Sequence, residues 1–152
     1  MARRNSAGRT PVHLWIVAAL ATLWNGFGCY DYLMTQTRGA DYVRSMMPGA
    51  DAEAIMSYVN GLPLWATGAW ALGVWGGLLG SALLLARHRW AAPALGISFV
   101  GALIGIGYQL LNPSPVADMH EGVNGVMPYV IIVVALGLFL YARAMSKKGV
   151  LR

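Results

Sequence analysis

Charge is what this chain has least of. Only 11% of its 152 residues are Asp, Glu, Lys or Arg, against about 25% in an average soluble domain. A disordered chain is excluded, because disorder goes with high charge and few apolar residues. A nucleic-acid binder is excluded as well: the net charge is +5, but the cations are too few and too scattered to form a basic stripe. Cysteine is almost missing, and the lone Cys29 rules out a disulfide scaffold or a Cys-cluster zinc site. His13, His88 and His120 are the only histidines, and none lies midway along an apolar run, where a haem in a helical bundle takes its axial ligands. The sequence contains no GxSxG, HExxH, phosphate loop or dinucleotide glycine fingerprint, so the expectation is no enzyme and no cofactor. What the chain has instead is 57% hydrophobic residues, gathered into long runs.

Four of those runs reach the length of about 20 helical residues that crosses a hydrocarbon core. They cover residues 12–34, 62–86, 90–111 and 125–142. Alternation of period two is absent, which leaves a β-barrel without support. The predicted fold is an all-α integral membrane protein, a single domain over residues 1–152 built as a four-transmembrane-helix bundle. A basic start before an apolar run also begins a signal peptide, yet this run continues past Ala18–Ala21 through Trp24 and Phe27. Residues 12–34 are therefore expected to stay as a span.

Crossing four times segregates the charges. Arg3, Arg4, Arg9, Arg87, Arg89, Arg143, Lys147, Lys148 and Arg152 fall on one side, while Arg38, Arg44 and all six acids fall on the other. Lys and Arg stay on the cytoplasmic side of a membrane, so both termini are expected there.

The outer connections, residues 35–61 and 112–124, are the long ones. Asp41–Met47 suits a short helical turn ended by Pro48-Gly49, and Asp51 is placed to cap a second short helix through AEAIMSYV, with Glu53 favoured in its first turn. Ala52, Ile55 and Val59 share one face, which makes the segment an amphipathic outer helix over the bundle mouth or in the interface. Asn112-Pro113-Ser114-Pro115 ends the third span, because proline cannot continue a helix.

Small residues recur four apart at Gly73/Gly77, Gly76/Gly80 and Gly101/Gly105. That spacing lets helix backbones approach closely, either within one chain or between copies. Polar residues inside spans are few, and each is costly unless partnered. Asn25, Cys29, Tyr32 and Gln36 share a face of the first span, with Asp31 to one side, and Gln109 and Asn112 reach the same depth in the third. Asn25, Asp31, Tyr32, Gln109 and Asn112 are thus candidates to line a small polar pocket that opens outward. Equally, they form a structural knot, with Asp31 paired to Arg38 or Arg44 and with Asn25 and Gln109 bonding across helices. Met46, Met47, Met119 and His120 gather on the outer side, where thioether and imidazole suit Cu(I). No two methionines stand at helical spacing to chelate, however, so no metal site is expected and these four remain weak candidates.

The run WNGFGCYDY at Trp24–Tyr32, followed by LPLWATGAWALGVWGGLLGSALLLARHRWA, resembles a group of small proteobacterial four-helix inner-membrane proteins. The likeness covers roughly residues 12–112, and its most specific part is W-N-x-x-G-x-x-D-Y. Members are sometimes loosely labelled sugar transporters, and the resemblance implies a bacterial inner membrane. Three functions are compatible with these residues. The first is protein–protein contact, as an accessory or assembly subunit in a larger membrane complex or as a homo-oligomer. A small oligomeric transporter or channel for a small solute is the second, and outer-side Cu(I) binding the third. The partners expected are the lipid bilayer and other copies or subunits, and no nucleic acid.

Overall fold

The computed structural model describes residues 10–152, so Arg3, Arg4 and Arg9 lie outside the described part. The described residues form six α-helices and no strand: α1 Val12–Arg38, α2 Ala40–Met46, α3 Ala52–Asn60, α4 Leu64–Leu85, α5 Ala91–Leu111 and α6 Gly122–Lys147, with a 3-10 turn at Ala117–Met119. Four of them, α1, α4, α5 and α6, are long and apolar enough to cross a membrane. Two of these exceed the apolar windows. α1 runs on to Arg38, where Gly39 at φ 52° turns the chain into α2, because a helix outside the hydrocarbon needs no apolar residues and ends only at a breaker. α6 begins at Gly122 and so carries Pro128 in its interior, where the missing N–H leaves the Asn124 carbonyl without its helical partner.

The four long helices pack as a row, α1 on α4, α4 on α5 and α5 on α6. α4 and α5 are the centre of it. Ala66, Ala69, Gly73, Gly77, Gly80 and Leu84 are buried on α4, and Ala91, Leu95, Ser98, Ala102 and Gly105 on α5. These steps of three and four place small residues along one facing stripe of each helix. Lipid is as apolar as leucine, so van der Waals contact between close backbones takes the place of hydrophobic burial in holding the helices together. The backbones are close indeed: a Cβ added at Gly101 would stand 2.7 Å from Gly73 N and 2.8 Å from the Ala69 carbonyl. Large side chains face outward instead, among them Ile16, Leu23 and Phe27 of α1 and Val126, Val133 and Leu140 of α6, as expected where the surrounding solvent is hydrocarbon.

The two ends of the row differ. At one end α2 and α3 fold over α1 around a small apolar cluster of Val43, Ala52, Ile55 and Met56, which Val116 and Met119 join from the 112–121 loop. Asp51 caps α3 by accepting from Ala54 N at 3.0 Å. Arg44 bridges Asp41 and Glu53 and ties α2 to α3. The opposite end carries the α4–α5 turn and the chain's last residues. Val150 and Leu151 are buried there with Leu14, Leu84, Leu95 and Met145, and Arg152 exchanges backbone bonds of 2.8 Å with Arg87 and Arg89. His13 Nδ1 and the Tyr141 hydroxyl, 2.6 Å apart, join the first turn of α1 to α6 at this same end.

Candidate functional site

The polar residues of the spans divide into two groups. The deeper one lies between α1 and α4. Asn25 Nδ2 donates to Ser81 Oγ and to the Ala21 carbonyl, both at 2.9 Å. Ser81 Oγ in turn donates to the Gly77 carbonyl at 2.8 Å, and Cys29 Sγ to the Val74 carbonyl at 3.2 Å. Across α4, Ser98 Oγ donates to the Gly73 carbonyl at 2.5 Å. Asn25 fits because residue 77 is glycine: a Cβ there would collide with Asn25 Oδ1. Asn25 thus bonds across helices, to Ser81, and Gln109 does not. Gln109 donates at 3.5 Å to the Gly105 carbonyl of its own helix, and Asn112 to the Tyr108 carbonyl at 3.0 Å.

All six singled-out glycines lie at these helix contacts. Gly73, Gly101 and Gly105 face backbone of the opposing helix, Gly76 faces Ser98, Gly77 faces Asn25 and Ser98, and Gly80 faces Leu95. We expect Asn25→Ala to cost about 1 kcal/mol in detergent unfolding, with a coupling to Ser81→Ala near 0.6 kcal/mol, the usual size of an interhelical bond in a membrane. Additive losses in the two single variants would mean that the bond contributes nothing.

The second group sits at the α2–α3 end and is built from aromatic side chains. Tyr42 is 6% exposed, and its hydroxyl donates to Asp31 Oδ1 at 2.8 Å. Its ring stands edge-on to Tyr30 at 6.2 Å. Tyr32 packs edge-on against Trp70 at 4.9 Å, and Tyr108 against Trp65 at 5.0 Å. Tyr58 reaches over from α3 to donate to the Asn112 carbonyl at 2.8 Å. Asp31 is therefore bonded to a phenol and not to Arg38 or Arg44. Arg44 is held by Asp41 three residues back and by Glu53, and among the described residues no ion pair includes Asp31. Of the five pocket candidates, Asn25 is bonded to α4, Asp31 to Tyr42, Tyr32 packs on Trp70, and Gln109 and Asn112 bond to their own helix.

Burial, reinforced by the bond to the Asp31 carboxylate, pushes the Tyr42 phenol well above its ordinary value of 10.0. A raised value in the folded state means stability that is complete below the unfolded value, near 10, and lost as pH climbs beyond it. The stability gap between the native chain and Tyr42→Phe should therefore narrow between about pH 9 and pH 11.5. A constant gap over that range would contradict a phenol held neutral by its surroundings.

A shallow open cavity of about 620 Å³ lies beside this cluster, lined by Met46, Met47, Gly49, Asp118, Glu121 and Asn124. Of the weak metal candidates, Met46 and Met47 border it, Met119 packs against the apolar cluster, and His120 Nε2 is 2.9 Å from the Ser114 carbonyl. Among the described residues no three His, Cys, Asp or Glu side chains gather in one place. Sequence reasoning missed Tyr42, Ser81 and Ser98. The signal for the two serines was available, since a hydroxyl at mid-span has to find an acceptor. Compared with protein families, curated proteins and solved structures, the chain matches none.

Proposed function

We propose that this chain is a bacterial inner-membrane protein, with both termini in the cytoplasm, that works by protein–protein contact as an accessory or assembly subunit or as a homo-oligomer. The observation that carries this reading is the one-sided packing of α6. Only Ala142 and Met145 of that 26-residue helix are buried, whereas the glycine stripes of α4 and α5 are used up against each other. α6 is thus the span with the fewest fully buried residues, and it keeps an apolar face, with Val126, Val133 and Leu140 exposed, for a neighbour. The orientation follows from the cations at the α4–α5 turn end and the acids at the α2–α3 end.

Isolation in mild detergent tests the contact reading. The expected result is a defined oligomer or a stoichiometric partner, with Val133→Cys on α6 trapping it by cross-linking in a Cys29→Ser background. A strictly monomeric, partner-free species would overturn it. One observation favours transport as a second reading: Asp31 sits in the last third of a span with a phenol as its partner and no cation. On that reading Asp31→Asn lowers solute flux in reconstituted vesicles without loss of folding, and unchanged flux removes it.

A further inference from the structure

Two helices finish side by side at the α4–α5 turn end, and both finish with the same hydrogen-bond motif. In α6, Gly149 N bonds to the Ser146 carbonyl and Val150 N to the Met145 carbonyl. In α4, Arg87 N bonds to the Leu84 carbonyl and His88 N to the Leu83 carbonyl. This double closure needs a left-handed residue just after the helix, a place that glycine takes by preference. α6 has glycine there, Gly149 at φ 68°. α4 has arginine: Arg87 at φ 57° is the only non-glycine residue with positive φ among those described. A backbone position that disfavours any side chain thus carries a long charged one, and such a departure points to a use for the side chain.

The surroundings of that side chain say which use. Arg87 Nε is buried and has no hydrogen-bond partner among the described residues. The other bond of the guanidinium, Nη2 to the Val150 carbonyl, is long at 3.4 Å, so one edge of the fork lacks a good acceptor. The backbone bonds of Arg152 to Arg87 and Arg89 bring three arginines to one place, and Arg143, Lys147 and Lys148 end α6 nearby. Every Asp and Glu of the chain belongs to the opposite end, so no acidic side chain competes for them. The negative end of the α4 dipole attracts a cation, but it requires neither the left-handed position nor a buried, unpartnered Nε. Trp90, 56% exposed, follows the turn directly, and Trp15, 44% exposed, lies in the first turn of α1. Exposed tryptophans mark the depth of lipid head groups.

We propose that Arg87, with Arg89 and Arg152, holds the phosphate of an anionic phospholipid head group at the α4–α5 turn end. The guanidinium fork matches phosphate oxygens two at a time, and a phosphate oxygen entering beside the Val150 carbonyl would give Nε its acceptor. The proposal rests on the four spans and is independent of the contact reading of α6.

The test uses the full chain in neutral detergent, titrated with phosphatidylglycerol, cardiolipin, phosphatidylcholine or inorganic phosphate, with thermal unfolding and native mass spectrometry as readouts. Arg87→Gly is the informative variant, because glycine suits the turn and removes only the guanidinium. Arg143→Gln is the control of equal charge change. Anionic lipids should raise the unfolding temperature where phosphatidylcholine does not. Arg87→Gly should weaken that binding about ten-fold, with a lipid-free unfolding temperature equal to or above the native one, and Arg143→Gln should stay within about two-fold. Native-like lipid binding by Arg87→Gly overturns the proposal. So does an equal loss in Arg143→Gln, which would mean diffuse attraction, or a drop in the lipid-free unfolding temperature of Arg87→Gly, which would make the side chain structural. Equal stabilisation by inorganic phosphate overturns the assignment to lipid.

Discussion

Gly101→Val is expected to do severe damage at the contact between α4 and α5. Even the first carbon of the new side chain would lie 2.7 Å from Gly73 N and 2.8 Å from the Ala69 carbonyl, and both are backbone atoms that cannot rotate away. Relief comes only from separating α4 and α5, whose backbones approach closely here. Overpacking in a well-filled core costs about 1–3 kcal/mol, and this site belongs at or above the top of that range because separation also stretches the Ser98–Gly73 bond. Gly107→Val in the same helix is the matched comparison, since a Cβ there meets nothing within 4 Å. Reversible unfolding in mixed micelles should show a large loss for the first and less than about 0.5 kcal/mol for the second. Equal losses would mean that helix propensity, and not backbone approach, sets the cost.

Removal of residues 150–152 should rank next. Val150 and Leu151 are 8% and 6% exposed, and they close the cluster that α1, α4, α5 and α6 share. The deletion also takes away both backbone bonds from Arg152 to the α4–α5 turn. Loss of two buried aliphatic side chains and those bonds is expected to cost about 2–4 kcal/mol. Deletion of Arg152 alone should cost far less and leave the apolar seal in place. Unfolding midpoints, together with protease cleavage in the 86–90 turn, would separate the two. A truncated protein as stable as the native one would show that the tail rests on the bundle without holding it.

Much of this architecture can be read from residues alone, for reasons that are physical. Spans announce themselves because the membrane admits only long apolar helices, and the Asp51 cap and the buried Ala52–Ile55 face are local patterns that survive in the fold. Asp31 was different. Its nearest cations in sequence are Arg38 and Arg44, yet Arg44 has two closer acids in Asp41 and Glu53, and the sharp turn at Gly39 brings Tyr42 back onto α1. Pairing by charge is a weak guide once a turn decides which residues meet. The bonds of Gln109 and Asn112 follow a related rule: each has a carbonyl one turn back in its own helix, always within reach. The tail escaped notice because Gly149–Arg152 is too short to leave a periodic trace, and its burial depends wholly on where three other helices end.

That habit of bonding one turn back has a consequence for how the protein is made. Thr22, Asn25, Thr37, Thr67, Ser81, Gln109 and Asn112 all donate to the carbonyl four residues earlier. These seven groups therefore enter the bilayer already satisfied within their own helix, owing nothing to helices that the ribosome has yet to deliver. Asn25 needs this most, because Ser81 is 56 residues further along the chain. The first helix can wait in lipid as an independent rod, and its contact with α4 is an exchange made later, from one partner to two.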